Sequence, residues 1–94
     1  RLPRMMLDQN LPNPFNPSTE IKYYVSRAGT GSLRVFNVRG ELVRTLVSGR
    51  IAAGPGSVVW DGRSDGGDAA GSGVYFYRLE IGGEALTKRM VLLK

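Results

Sequence analysis

A chain of 94 residues with neither cysteine nor histidine excludes thiol nucleophiles, disulfides, imidazole bases and the common zinc ligand sets together. The length suits one domain with one core and little stability to spare. The formal charge of +5 comes from the first half, where residues 1–50 hold eight of the 13 Arg and Lys. Lys22, Arg27, Arg34, Arg39, Arg44 and Arg50 are nevertheless spaced singly through expected strands and turns. That is the pattern of a solvated surface rather than a phosphate-binding stripe, and no nucleic-acid partner is expected. Arg34 and Arg44 fall where one sheet face would carry both.

No apolar run approaches the roughly 20 residues that span a bilayer, so no membrane span is expected. Arg1-Leu2-Pro3-Arg4 has no signal-peptide apolar region, and without an initiator Met the chain reads as a piece of something longer. Residues 1–6 are expected as linker and residues 7–94 as the domain, with Met5–Leu7 able to form a short first strand. Thirteen glycines and five prolines, with four Tyr, three Phe and one Trp, suit short strands joined by tight turns. No window of a dozen residues carries an apolar stripe at helical spacing free of Gly and Pro.

Asn10-Leu11-Pro12-Asn13-Pro14-Phe15-Asn16-Pro17 comes next. Each proline fixes its own φ and pushes the residue before it out of the helical region. The segment is therefore stiff and extended. Lacking several N–H donors, it is confined to a sheet edge or the end of a sandwich. Asn13 and Asn16 can bond locally to backbone in place of a ladder, and Phe15 is the one large apolar group it can insert into a core.

Ser18–Ser26 alternates Thr19, Ile21, Tyr23 and Val25 against Glu20, Lys22 and Tyr24, the period of a half-buried strand. A turn at 27–31 leads to a strand over Ser32–Val38 with Leu33 and Val35 inward. Asn37-Val38-Arg39-Gly40 closes a reversal, and Glu41–Val47 returns with Leu42 and Leu46 on one side, Val43 and Val47 on the other. Residues 48–56 read as a loop. Ser57–Asp61 is a short strand whose Trp60 is expected to bridge two sheets. After the irregular Gly62–Gly73 comes Gly73–Ile81, aromatic on both faces as in a central strand. Gly82-Gly83 turns into a last strand, Leu86–Leu93. Six or seven short strands without crossover helices predict an all-β, immunoglobulin-like antiparallel β-sandwich.

Few motifs carry chemistry. Asp61, Asp65 and Asp68 on a glycine-rich backbone could wrap a Ca²⁺ through oxygen ligands. Against this, the spacing is not that of an EF-hand, and Asp and Gly are also what turns are made of. No other cofactor is expected. No Gly-x-Ser-x-Gly elbow, Ser-x-x-Lys pair, paired-carboxylate cleft or phosphate loop is present, so the chain is not expected to be an enzyme. Asn16-Pro17-Ser18 has the proline that blocks N-glycosylation. Lys88-Arg89-Met90-Val91-Leu92-Leu93-Lys94 is basic, then apolar on both faces. As a sheet edge it would offer a template for strand addition.

In consistent order, Leu7–Thr19 with its proline stretch, Leu33–Gly40, Val59-Trp60-Asp61-Gly62, Ser72–Leu79 with Tyr75, and Lys88–Leu93 resemble one family. It is the type A C-terminal sorting domain of the type IX secretion system, together with the related Ig-like domain of the flagellar hook-capping protein. Leu11 stands where an aromatic is common and Asn37 where Asp is common, which removes a charge from the hairpin turn. The resemblance implies a secretion address rather than a reaction. The domain would be exported to the cell surface or beyond and read by the outer-membrane secretion machinery, with the last strand part of the signal. Two further readings stay open: a spacer or subunit of an extracellular assembly, self-associating or packing on neighbouring domains through β-edges, and a calcium- or carbohydrate-binding accessory module using the acidic loop and Tyr24.

Overall fold

The computed structural model describes residues 4–94. Among the described residues there are seven strands and no helix: β1 (Met5–Leu7), β2 (Thr19–Val25), β3 (Gly29–Phe36), β4 (Leu42–Ile51), β5 (Gly54–Trp60), β6 (Gly73–Ile81) and β7 (Glu84–Leu92). They form two antiparallel sheets, one ordered β1-β2-β5 and the other β4-β3-β6-β7. This is the expected all-β sandwich, and β6 is an interior strand. No helix among the described residues is long and apolar enough to cross a membrane.

Period-two alternation builds the core. Ile21 and Val25 from β2, Leu33 and Val35 from β3, Tyr75, Tyr77 and Leu79 from β6, and Met90 and Leu92 from β7 are buried between the sheets, with Phe15 and Trp60 among them. The linker expected over residues 1–6 gives way at Met5. Met5 and Met6 pair with Val25 and Tyr24, and Met5 is buried, so the sandwich begins before residue 7; Arg1–Pro3 lie outside the described residues.

The loop expected over residues 48–56 shrinks to Ala52-Ala53. Its composition is turn-like, but Ser48–Ile51 pairs with Gly29–Ser32, and Gly54–Gly56 with Tyr23–Val25. These pairings are non-local and invisible to a local pattern. Pro55 is accommodated because β5 is an edge strand.

The two-sided pattern expected for β4 is also broken. Its register with β3 shifts twice, skipping Leu46 and Val43. Such irregularities reset the alternation. Val43, Leu46 and Val47 all pack against the core, while Leu42 is half exposed. In the hairpin turn, Gly40 has φ +82°, and Asn37 Oδ1 accepts from the N–H groups of Arg39 (2.9 Å) and Glu41 (3.0 Å). Asparagine thus anchors the turn without the charge of aspartate, and its Nδ2 also donates to Glu41 Oε1 (2.8 Å).

Phe15 is 2% exposed and lies 5.6 Å from Trp60, ring centre to ring centre. Truncating a buried aromatic removes transfer energy and leaves a cavity. Phe15→Ala should therefore cost about 3–5 kcal/mol in urea unfolding, and a loss below about 1 kcal/mol would contradict this packing.

Candidate functional site

The proline stretch and the last strand form one unit. Leaving β1, the chain stays beside β2: Asp8 N–H donates to the Lys22 carbonyl (2.9 Å), and Leu11 exchanges two backbone bonds with Glu20. Between them Asn10 turns inward and is fully buried. Its Nδ2 donates to Thr19 Oγ1 (3.0 Å) and the Pro12 carbonyl (3.1 Å), and its Oδ1 accepts from Gln9 Nε2 (2.7 Å). Thr19 Oγ1 in turn donates to the Pro12 carbonyl (2.8 Å).

Tyr77 completes this buried polar cluster. Its hydroxyl donates to the Asp8 carbonyl (2.6 Å) and accepts from the Asn10 N–H (2.9 Å). No sequence motif singles out Tyr77. Its inward parity in β6 was the available signal, because a buried tyrosine needs a partner for its hydroxyl. Burial is the main cause that pushes its pKa up to about 12, with the hydrogen bond to Asn10 opposing and the Asp8 charge adding.

From here the segment crosses to β7. Gln9 Nε2 donates to the Arg89 carbonyl (2.7 Å), and Val91 N–H donates to Asn13 Oδ1 (3.0 Å). Phe15 N–H donates to the Val91 carbonyl and Leu93 N–H to the Phe15 carbonyl, both at 3.0 Å. The Asn13 side-chain oxygen thus takes the place of a strand carbonyl for Val91 N–H, and Gln9 Nε2 that of a strand N–H for the Arg89 carbonyl. The outer edge of β7 is occupied between Arg89 and Leu93, so the open template expected there is absent over those residues. Pro12, Asn13, Pro14, Asn16 and Pro17 face solvent.

The tail divides by side. Met90 and Leu92 are fully buried, and Lys88 and Val91 are half-buried. Arg89, Leu93 and Lys94 are exposed, with Lys94 N–H held by Ser72 Oγ (2.9 Å).

Trp60 connects this unit to the acidic loop. It is fully buried, with Phe15 on one side and Tyr75 on the other at 5.4 Å, and its indole N–H donates to the Arg63 carbonyl (2.8 Å). Tyr75 donates its hydroxyl to the Gly71 carbonyl (2.7 Å). Gly62 is a point of close approach: a Cβ there would lie 2.6 Å from the Pro17 carbonyl oxygen.

The acidic loop closes around Arg44 rather than around an empty centre. Arg44 lies 3.5 Å from Asp61 Oδ1 and 3.8 Å from Asp65 Oδ1. Asp61 Oδ1 also accepts from the Arg63 N–H, while Asp65 bonds β4 by donating its N–H to the Val43 carbonyl and accepting the Thr45 N–H. Asp68 enters through its backbone, exchanging bonds with Ser64. Among the described residues no group of three acidic side chains is arranged to hold a metal ion. Arg34 and Arg44 do not sit side by side: Arg34 pairs with Thr45 and Arg44 with Val35.

The family model of the FlgD Ig-like domain matches residues 16–83. This chain belongs to that family. Two solved structures from Porphyromonas gingivalis share its fold. Dimeric latent PorU superposes with a TM-score of 0.73 at 21% identity, over 98% of this chain and 10% of PorU. PorZ, an essential surface component of the type IX secretion system, gives 0.61 at 17% identity, over 96% of this chain and 11% of PorZ. The domain thus spans about a tenth of each. None of the curated proteins compared with it matches.

Two outcomes test this geometry. Asn13→Ala should speed hydrogen exchange at the Val91 amide while leaving the core amides of β3 protected, read residue by residue by NMR. Tyr77 holds its proton more tightly folded than unfolded. Its contribution to stability is therefore complete below pH 10 and lost as pH rises from 10 toward 12. Tyr77→Phe should flatten that alkaline loss in urea titrations, and an identical slope in both proteins would contradict the buried hydroxyl.

Proposed function

We propose that this domain is a non-catalytic sorting module of a secreted or surface bacterial protein. It is read by the outer-membrane secretion machinery, with Lys88–Lys94 as part of the recognised element, and it works at the cell surface or outside. One observation carries the reading. The two parts of the sequence resemblance that lie furthest apart, the proline stretch and the last strand, are a single hydrogen-bonded unit. That unit holds Met90 and Leu92 in the core and leaves Arg89, Leu93 and Lys94 outside. Membership of the FlgD Ig-like family and the shared fold with part of PorZ support it.

Deleting the tail would be a poor test, because losing buried Met90 and Leu92 should unfold the domain. The informative variant changes exposed groups alone. A periplasmic reporter fused ahead of the 94 residues should appear outside a bacterium with an active type IX system. The R89A/L93S/K94A variant should fall to background export while melting at the wild-type temperature. Export of the folded variant at the wild-type level, or retention of the wild-type fusion in the periplasm, overturns the proposal.

A further inference from the structure

The outer face of the β4-β3-β6-β7 sheet is neither covered nor evenly polar. Because Leu33, Val35, Tyr75, Tyr77 and Leu79 point into the core, the alternating residues Arg34, Phe36, Phe76 and Arg78 stand on the opposite side. Register places Arg34 directly opposite Arg78 and Phe36 directly opposite Phe76. The phenylalanine row continues to Leu42 on one flank and Arg89 on the other, and the arginine row to Thr45 and Thr87. Leu42 is 50% exposed and Val38, in the neighbouring turn, is 70% exposed. Phe36, Val38, Gly40, Phe76, Arg78 and Thr87 line a shallow depression of about 260 Å³.

Two features of this face ask for an anion. Like charges directly opposite on a sheet destabilise it, and Arg34 and Arg78 are so placed. Glu80 lies 3.6 Å from Arg78, whereas Arg34 Nε is buried without a hydrogen-bond partner among the described residues. A carboxylate brought against this face would offset the repulsion between the two guanidiniums, of which only Arg78 has an acidic side chain beside it among the described residues, since planar forks suit carboxylates.

We infer that this face docks an extended, acidic polypeptide segment, with Arg34 and Arg78 taking a carboxylate and the Phe36–Phe76 depression taking an apolar side chain. Three considerations favour that occupant. A second copy placed across a two-fold axis would set the arginine pair against its own image. A lipid headgroup or polyphosphate would engage the arginines and leave the apolar depression unfilled. The arginine and phenylalanine rows are two residues apart along β3 and β6, about 6.6 Å, which is also the spacing between residues i and i+2 of an extended peptide. A carboxylate and an apolar side chain separated by one residue therefore fit both rows at once. The inference rests on Arg34, Phe36, Phe76 and Arg78 and not on the proline stretch. Arg89 of the tail borders the face, but neither R34Q/R78Q nor F76T alters the tail, so its failure is distinguishable from failure of the sorting proposal.

Selection from a displayed random dodecapeptide library on the immobilised 94-residue chain tests it. Enriched peptides should carry Asp or Glu one residue removed from a Leu, Ile, Val or Phe. Their fluorescein-labelled forms should bind R34Q/R78Q and F76T at least about tenfold more weakly in anisotropy titrations, with R34K retaining more affinity than R34Q and all variants melting cooperatively. No enrichment, enriched peptides without that pattern, or equal affinity for R34Q/R78Q overturns the inference. So does tighter R34Q/R78Q-sensitive binding to phosphatidylglycerol vesicles or inorganic polyphosphate than to the selected peptides.

Discussion

The structure depends on the packing of three aromatic rings drawn from three distant places. Trp60 ends β5, Tyr75 lies near the start of β6, and Phe15 sits in the proline stretch, bridged to β7 at Leu92. A small sandwich gains most from its largest side chains, and the edge-on arrangement of Trp60 and Tyr75 adds a favourable quadrupole contact to the area buried. The polar atoms of these rings reach outward to the Arg63 and Gly71 carbonyls. The core cluster therefore also fixes the irregular stretch between β5 and β6. Loss of its geometry would release the entrance segment, the acidic loop and the start of β6 together.

A second constraint follows from open sheets having edges. Both outer strands of the four-stranded sheet carry unpaired backbone groups, and different segments cover each. The proline stretch covers β7 between Arg89 and Leu93, and Asp65 covers β4 at Val43 and Thr45. Such covers protect edges from unplanned pairing. They also explain two sets of residues that resemble binding motifs. The carboxylates of Asp61 and Asp65 face a guanidinium and backbone N–H groups, Asn13 accepts from the Val91 N–H in place of a strand carbonyl, and Asn10 donates to Thr19 and the Pro12 carbonyl. Charge here serves local closure, while on the outer sheet face Arg34 and Arg78 stand opposite each other and only Arg78 has a carboxylate beside it among the described residues.

Much of the architecture was legible in the sequence because it follows from local rules. Alternation in Thr19–Val25 and Gly73–Ile81, the Asn37–Gly40 reversal and the absence of helical periodicity prescribe short antiparallel strands whatever their partners. The proline stretch had to be extended and peripheral, since it lacks the donors of an interior strand, and Phe15 was its only apolar plug. The absence of Cys and His excluded whole classes of chemistry in advance.

Tertiary structure decided what depends on contacts between distant residues. Ser48–Gly56 has the composition of a loop but is drawn into two strands by pairing with β3 and β2. The alternation of β4 fails because its register slips against β3, which no property of β4 itself announces. The pairing of Asn13 and Phe15 with Val91 and Leu93 joins residues nearly a full chain length apart. The roles of Asp65 and Tyr77 were likewise hidden, because a side chain's partner is chosen by the neighbour that folding brings to it. Residue type and period determined most of the strands and which groups must be satisfied; only the three-dimensional pairing drew Ser48–Ile51 and Gly54–Gly56 into strands and chose each group's partner.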